Sequence, residues 1–148
     1  MVDDMKTGTE GIKLIKQFEG CKLTAYKCPA GLWTIGYGNT YYEDSQRVKE
    51  GDKITQERAE QLLLNLLPKY EAIVNKSISV TINQNQFDSL VSFTWNTGGS
   101  TNLFKMINEK TATKDIAQWI RTHYITAAGK VLNGLVTRRN AEAKLFEQ

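Results

Sequence analysis

Residues 18–38 read FEGCKLTAYKCPAGLWTIGYG, and this stretch predicts both the local fold and the candidate site. Before it, apolar residues recur at helical spacing over residues 9–18, and Gly20 is a natural place for a helix to stop. Over residues 22–38, apolar residues flank a Pro-Ala-Gly turn, which predicts a β-hairpin. Glu19 is therefore expected at the C-terminal end of a helix that leads directly into the hairpin.

Glu19, Cys28 and Thr34 are the candidate catalytic residues of this stretch. A hairpin centred on Gly31 would place Cys28 directly opposite Thr34 on one face, and Tyr26 would share that face. The negative end of the helix dipole favours the protonated form of the Glu19 carboxyl, which is the form a general acid needs. These features predict a cleft that contains a carboxyl, a thiol and a hydroxyl. The alternative for Glu19 is an exposed side chain at a frayed helix end.

The rest of the chain favours helices, so the predicted fold class is α+β, mainly α, with one small sheet near the N-terminus. A helix should begin after Thr55, and Pro68 should kink or divide it. Residues 129–134 are predicted to form a loop or turn. The other predicted helices cover residues 83–97, 101–109, 114–122 and 134–146.

The composition limits the classes of function that the chain can have. The chain has 148 residues, of which 41% are hydrophobic and 24% charged, and this is typical of one ordinary soluble domain. A net charge of +3 is too small to indicate nucleic-acid binding. We expect no secretory signal and no membrane span, because no basic segment with a following apolar run and no apolar stretch of spanning length is visible. Two cysteines and one histidine, His123, make a metal site a poor expectation, and no cofactor is predicted.

Three motifs in chain order resemble the phage-type lysozymes, glycoside hydrolase family 24. The first has Glu19, eight residues, position 28, five residues and Thr34, within the stretch quoted above. The second and third cover residues 85–98 and 129–142. The resemblance implies a two-lobed, lysozyme-like fold with a small N-terminal β-hairpin and a helical C-terminal lobe. The chain would form one domain over residues 1–148, with a cleft-edge lobe at 12–54 and a linking helix and helical lobe at 55–148.

The resemblance also implies a function. The protein would be a muramidase that hydrolyses the β-1,4 bond between N-acetylmuramic acid and N-acetylglucosamine in bacterial peptidoglycan. Glu19 would be the general acid and Thr34 would hold the attacking water, as in the inverting reaction reported for the family. A lysin without a signal would stay in the host cytoplasm until a holin admits it to the wall, and it would act as a monomer.

Four further residues are predicted to bind substrate, namely Tyr26, Tyr37, Asn39 and Arg138. Arg138 or its neighbour Arg139 could instead orient Glu19, or form a structural ion pair with a carboxylate such as that of Glu142. Tyr41 follows the hairpin and could line the groove or remain in an exposed loop.

Cys28 departs from the family pattern, which has Asp at this position. Three roles remain open for it: a thiolate that stabilises positive charge on the sugar and polarises the water, a nucleophile that forms a covalent intermediate, or a passive residue. We favour the first. A disulfide between Cys21 and Cys28 would inactivate the site, whereas a small buried Cys21 is the simpler interpretation.

Two other functions remain as alternatives. One is a non-catalytic module that binds the wall and derives from a lysozyme, with Cys28 marking lost chemistry. The other is a cysteine amidase or peptidase that acts on wall peptides, for which His123 would have to serve as the base of Cys28.

Overall fold

The computed structural model describes residues 4–148, which are mainly helical and include two small antiparallel sheets. Its elements in chain order are α1 (Thr9–Glu19), β1 (Lys22–Lys27), β2 (Trp33–Gly36), α2 (Gln56–Ser77), α3 (Gln84–Thr97), α4 (Thr101–Asn108), α5 (Thr113–Thr122), β3 (Thr126–Ala127), β4 (Lys130–Val131) and α6 (Asn133–Glu147). The predicted fold class is confirmed. The predicted helices are present, with ends that differ by one residue in most cases.

Helix α3 lies at the centre of the fold. Every residue from Phe87 to Trp95 is buried, and the helix packs against α1, α2 and α6. Asn83 forms a capping box with Gln86 at the start of the helix. Gly98 ends it in the left-handed region with φ 87°, where a residue without a Cβ is favoured. This helix therefore provides the surface on which α1 and α6, the two helices that carry the site, are placed.

A buried carboxylate holds the start of α1 against α3. Asp88 is 1% exposed and accepts hydrogen bonds from the backbone N–H groups of Gly8 at 2.9 Å and Gly11 at 3.1 Å. Gln84 donates to the same carboxylate at 2.8 Å. A Cβ at position 11 would lie 2.9 Å from the Cβ of Asp88, so only glycine permits this approach. Because α1 has no side-chain cap of its own, Asp88 satisfies its first N–H groups and fixes where the helix begins.

The β1–β2 hairpin differs from the prediction in its register. Tyr26 lies opposite Thr34, and the backbone N–H of Cys28 donates to the carbonyl of Leu32 at 2.9 Å. The hairpin is therefore centred one residue earlier than Gly31, and the expectation that Cys28 directly faces Thr34 is wrong. The two residues still share a face, since they are diagonal neighbours and side chains alternate along each strand.

Two other predictions are corrected by the structure. Helix α2 begins after Thr55, as predicted, and runs as one helix through Pro68, so of the predicted kink or division the division does not occur. The carbonyl that loses its partner belongs to Leu64, which is 51% exposed, so water can replace the missing hydrogen bond. Part of the predicted 129–134 loop forms β4, which pairs with β3 as a second sheet. Strands of two residues are too short to produce a readable pattern of alternation.

No helix within residues 4–148 is long enough and apolar enough to cross a membrane.

We expect Asp88→Asn to lower the free energy of unfolding by about 1–3 kcal/mol, because an amide group would face the N–H donors of α1 in a buried site. Urea unfolding measures the change as a shift of the midpoint. Glu10→Gln is the matched control, since Glu10 is an exposed acid in the first turn of the same helix. It should cost at most about 1 kcal/mol. Equal effects of the two substitutions would contradict the role given to Asp88.

Candidate active site

A cleft of about 580 Å³ contains most of the predicted site residues. Glu19, Tyr26, Cys28, Thr34 and Asn39 all line it. The hairpin supplies one group of lining residues, and the end of α3, strand β3 and the start of α6 supply another. The cleft therefore contains the carboxyl, thiol and hydroxyl that the sequence predicts for it.

Glu19 is the last residue of α1 and is held from two sides. Its Oε2 accepts a hydrogen bond from Nη1 of Arg138 at 2.7 Å, and its side chain is 16% exposed. Gly38 contacts the other side: a Cβ at this position would lie 2.3 Å from Oε1 of Glu19. Glu19 is therefore not an exposed residue at a frayed end. Its carboxylate is packed on a glycine backbone and fixed by an arginine.

Arg138 is itself held by buried partners. It is 3% exposed, and it donates to Oε2 of Glu142 at 3.1 Å and to the carbonyl of Ser92 at 3.0 Å. Glu142 is 0% exposed and also accepts from the Ser92 hydroxyl at 2.6 Å. Arg139 lies 2.7 Å from the second oxygen of Glu142. Two acids and two arginines thus balance their charges, and the buried cluster holds the Arg138 guanidinium toward Glu19.

Hydrogen bonds around Cys28 lower the pKa of its thiol. Burial alone raises the pKa of the Cys28 thiol, but hydrogen bonds from the Leu32 backbone, the Thr34 side chain and the Ala30 backbone outweigh it. The net result is a pKa below the ordinary value. Thr34 has one hydroxyl proton, so it serves either the Cys28 sulfur or the Leu32 carbonyl, and the hydrogen bond present is the one to Leu32 at 2.9 Å. Its hydroxyl must therefore rotate to donate to the sulfur or to a water.

The four residues predicted to bind substrate have different positions. Tyr26 lines the cleft, and burial together with the nearby charges of Glu19 and Cys28 raises its pKa, so its hydroxyl stays protonated. Asn39 also lines the cleft and exchanges two backbone hydrogen bonds with Ile35.

Tyr37 and Arg138 are outside the lining of the 580 Å³ cleft. Tyr37 is 5% exposed, and its hydroxyl is bound to Glu60 and Gln56 on α2. The structure therefore does not bring the Tyr37 side chain to the site. Arg138 contacts Glu19 and Glu142 at the same time, so both alternatives considered for it occur together.

Three further residues shape the site. Gly38 belongs to the quoted stretch, but its contact with Glu19 becomes visible only in three dimensions. Tyr70 lines the cleft although its spacing in α2 assigns it to an apolar stripe. Trp95 lines the cleft from the end of α3 and packs on Tyr70, with ring centroids 4.8 Å apart.

The structure excludes a disulfide within the chain between Cys21 and Cys28, and both thiols are free. Strand β1 separates them, and seven residues of extended chain span about 20 Å, against the roughly 7 Å between Cα atoms that a disulfide tolerates. Cys21 instead lies 3.5 Å from a side-chain oxygen of Gln56.

His123 does not line the cleft around Cys28. Its ring is stacked on Trp119, with centroids 3.9 Å apart, and its Nδ1 is bound to the Trp119 carbonyl at 2.7 Å. This placement gives Cys28 no histidine base.

Comparisons with known proteins agree with the fold. Residues 16–142 match the family model described as Phage lysozyme. The endolysin of Acyrthosiphon pisum secondary endosymbiont phage 1 is 37% identical over 149 residues, which cover 97% of this chain and 99% of that protein.

Two solved structures are also similar. The endolysin from Escherichia coli O157:H7 phage FAHEc1 is 40% identical with a TM-score of 0.82, covering 99% of this chain and 96% of that chain. A mutant of P22 lysozyme is 30% identical with a TM-score of 0.77, covering 97% and 99%. The chain therefore belongs to the phage lysozyme family. It is a lysozyme, a hydrolase of the bacterial wall.

We expect Gly38→Ala to lower kcat about a hundredfold, because the new methyl group would displace the Glu19 carboxylate. Gly51→Ala is the matched control. Gly38 and Gly51 both have positive φ, 78° and 90°, but a Cβ at Gly51 meets nothing within 4 Å. Both variants should carry a similar backbone strain of about 1–3 kcal/mol. Wall-lysis assays beside thermal unfolding separate the two effects. An equal loss of activity in the two variants would contradict the contact.

Proposed function

We propose that the protein is an endolysin that cleaves the β-1,4 bond between N-acetylmuramic acid and N-acetylglucosamine, with Glu19, Cys28 and Thr34 as its catalytic residues. One observation carries the assignment of these residues: all three line the same cleft, and Glu19 is fixed there by Arg138 and Gly38.

Glu19 is proposed as the general acid that protonates the leaving oxygen. It lies at the end of α1 and lines the cleft, where its carboxyl can reach a bound sugar. Once the proton has left, Arg138 stabilises the carboxylate at 2.7 Å.

Cys28 and Thr34 are proposed to assist the attacking water. The lowered pKa of the Cys28 thiol supports a thiolate, which would stabilise positive charge on the sugar and polarise the water. The Thr34 hydroxyl, on the same face of the hairpin, would hold that water after rotating away from Leu32. Tyr26 and Asn39 are proposed to bind the sugars from the same side.

The two alternative functions have less support. A cysteine peptidase needs a base next to Cys28, and the ring of His123 is engaged by Trp119 instead. A non-catalytic module would have no need to hold a carboxylate against Gly38 with a buried arginine.

The family resemblance supports the remaining parts of the proposal. The protein would act as a single domain and a monomer on peptidoglycan, and it would accumulate in the host cytoplasm until a holin releases it.

Glu19→Gln is expected to reduce cleavage at least a hundredfold, since general acid catalysis contributes about 10²–10⁴-fold. The assay digests purified peptidoglycan and identifies the products by mass spectrometry, with Glu10→Gln as a control on the exposed face of the same helix. New reducing sugar ends from the unsubstituted protein are the predicted result. New amines would indicate a peptidase, and binding without cleavage would indicate a wall-binding module.

The role of Cys28 is tested by the anomer of the new reducing end, which NMR detects. We expect inversion, because water attacks directly. A retained anomer would contradict this role and indicate a covalent sulfur intermediate.

The pH profile provides a second test of Cys28. The activity of the unsubstituted protein should fall as pH drops through the pKa of the Cys28 thiol, which lies below its ordinary value. In Cys28→Asp this loss should move to more acidic pH, because carboxylates remain ionised to about pH 4. The activity of Cys28→Ala should show no loss at acidic pH that depends on position 28. An unchanged profile in both variants would leave Cys28 as a passive residue.

A further inference from the structure

A lysine and two tyrosines form a hydrogen-bonded group at the wall of the cleft, called here the Lys69–Tyr41–Tyr70 cluster. Nζ of Lys69 donates to Oη of Tyr41 at 2.7 Å, and Oη of Tyr41 lies 3.0 Å from Oη of Tyr70. The ammonium also lies over the Tyr41 ring, 4.4 Å from its centroid. Both tyrosines line the cleft, so the cluster connects an exposed cation to the site.

The cluster has one hydroxyl proton that its own hydrogen bonds do not use. Tyr41 and Tyr70 have two hydroxyl protons, and the bond between them uses one. Lys69 has no lone pair to accept the other, because an ammonium group only donates. One phenol hydroxyl therefore remains free to donate to a group in the cleft. The hydrogen bonds from Lys69 and Tyr70 outweigh burial and lower the pKa of Tyr41, which makes its hydroxyl the stronger donor.

The charge of Lys69 has no counter-ion in the part of the chain that the structure describes. Its ammonium forms no ion pair with a carboxylate over residues 4–148, and its one hydrogen bond there is to the phenol of Tyr41. An exposed lysine is normally free to rotate in water, so fixing it on a tyrosine has an entropic cost. The arrangement places an ammonium and a phenol hydroxyl side by side, 2.7 Å apart.

We propose that the Lys69–Tyr41–Tyr70 cluster binds a carboxylate of the peptide that peptidoglycan carries on its muramic acid. This inference rests on the proposed function and adds a determinant of substrate specificity to it. The backbone sugars offer neutral hydroxyl and amide groups, whereas the attached peptide supplies the negative charge that a lysine without a counter-ion attracts. Tyr41, Tyr70 and Glu19 line the same cleft. The cluster thus lies close enough to the acid for the peptide to be bound beside the sugar that is cleaved.

The test compares binding of two soluble peptidoglycan fragments by calorimetry, one with free peptide carboxylates and one whose carboxylates have been converted to amides. Glu19→Gln serves as the background, in which cleavage should be at least a hundredfold slower and does not disturb the binding measurement. We expect amidation to weaken binding about threefold to fivefold, which is the effect of one exposed ion pair. Adding Lys69→Met should bring the ratio of the two dissociation constants, amidated over free fragment, to one. Adding Tyr41→Phe, which removes the oxygen that holds Lys69, should lower the ratio as well.

Lys114→Met is the matched control, because Lys114 is an exposed lysine on α5 and the loss of net charge is the same. The Lys114→Met variant should keep the threefold to fivefold difference in affinity between the two fragments. A ratio of one in the Glu19→Gln background, or a full ratio that survives Lys69→Met, would overturn the proposal. Binding is measured without cleavage, so failure of the muramidase assignment would appear separately, as an absence of new reducing ends with the unsubstituted protein.

Discussion

The ion pair between Arg138 and Glu19 joins positions 119 residues apart and connects the last helix to the end of the first. Arg138 is almost fully buried, and a buried guanidinium without a partner would be strongly destabilising. Glu142 and Ser92 provide the remaining partners, so the side chain has little freedom to move. The position of the Glu19 carboxylate therefore depends on the packing of α6 against α3 as much as on α1 itself.

Helix α1 is constrained at both ends by side chains from other helices. Asp88 of α3 binds its first N–H groups, and Arg138 of α6 binds its last residue. Gly38 sets the third limit, since it allows the backbone after β2 to contact the carboxylate. Glu19 is thus positioned by contacts with other helices and with Gly38. Cys28 and Thr34 are positioned instead by hydrogen bonds to Leu32 in the hairpin. Two independently supported groups then face the same cleft, as a reaction with an acid on one side and a water on the other requires.

The sequence was sufficient to predict the features that local chemistry controls. The helix before Gly20, the hairpin and the helix over residues 83–97 all follow from spacing and turn residues, and so does the position of Glu19 at a helix end. The register of the hairpin was missed by one residue because it depends on the turn geometry between Cys28 and Leu32. The side-chain direction of Tyr37 was missed because it is decided by its partners on α2.

The long-range contacts of the site could not be read from the chain. Asp88 lies 77 residues from Gly11, and Lys69 lies 28 residues from Tyr41. No local sequence pattern predicts either contact. Arg138 was a candidate from its motif, but its simultaneous contacts with Glu19 and Glu142 require the packed structure. Sequence patterns thus identified Glu19, Cys28 and Thr34 as candidate residues, whereas the groups that hold them in place are visible only in the packed structure.

The most direct measurement of the central claim is kcat for Glu142→Gln, because Glu142 is fully buried and does not line the cleft. The substitution keeps the size of the side chain and removes the charge that holds Arg138. Assayed at a temperature where circular dichroism shows the variant folded, kcat should fall at least tenfold with little change in KM, since misplacement of a catalytic group by about 1 Å costs about a hundredfold. A kcat within twofold of the unsubstituted protein would contradict the account, and the buried cluster would then serve stability alone.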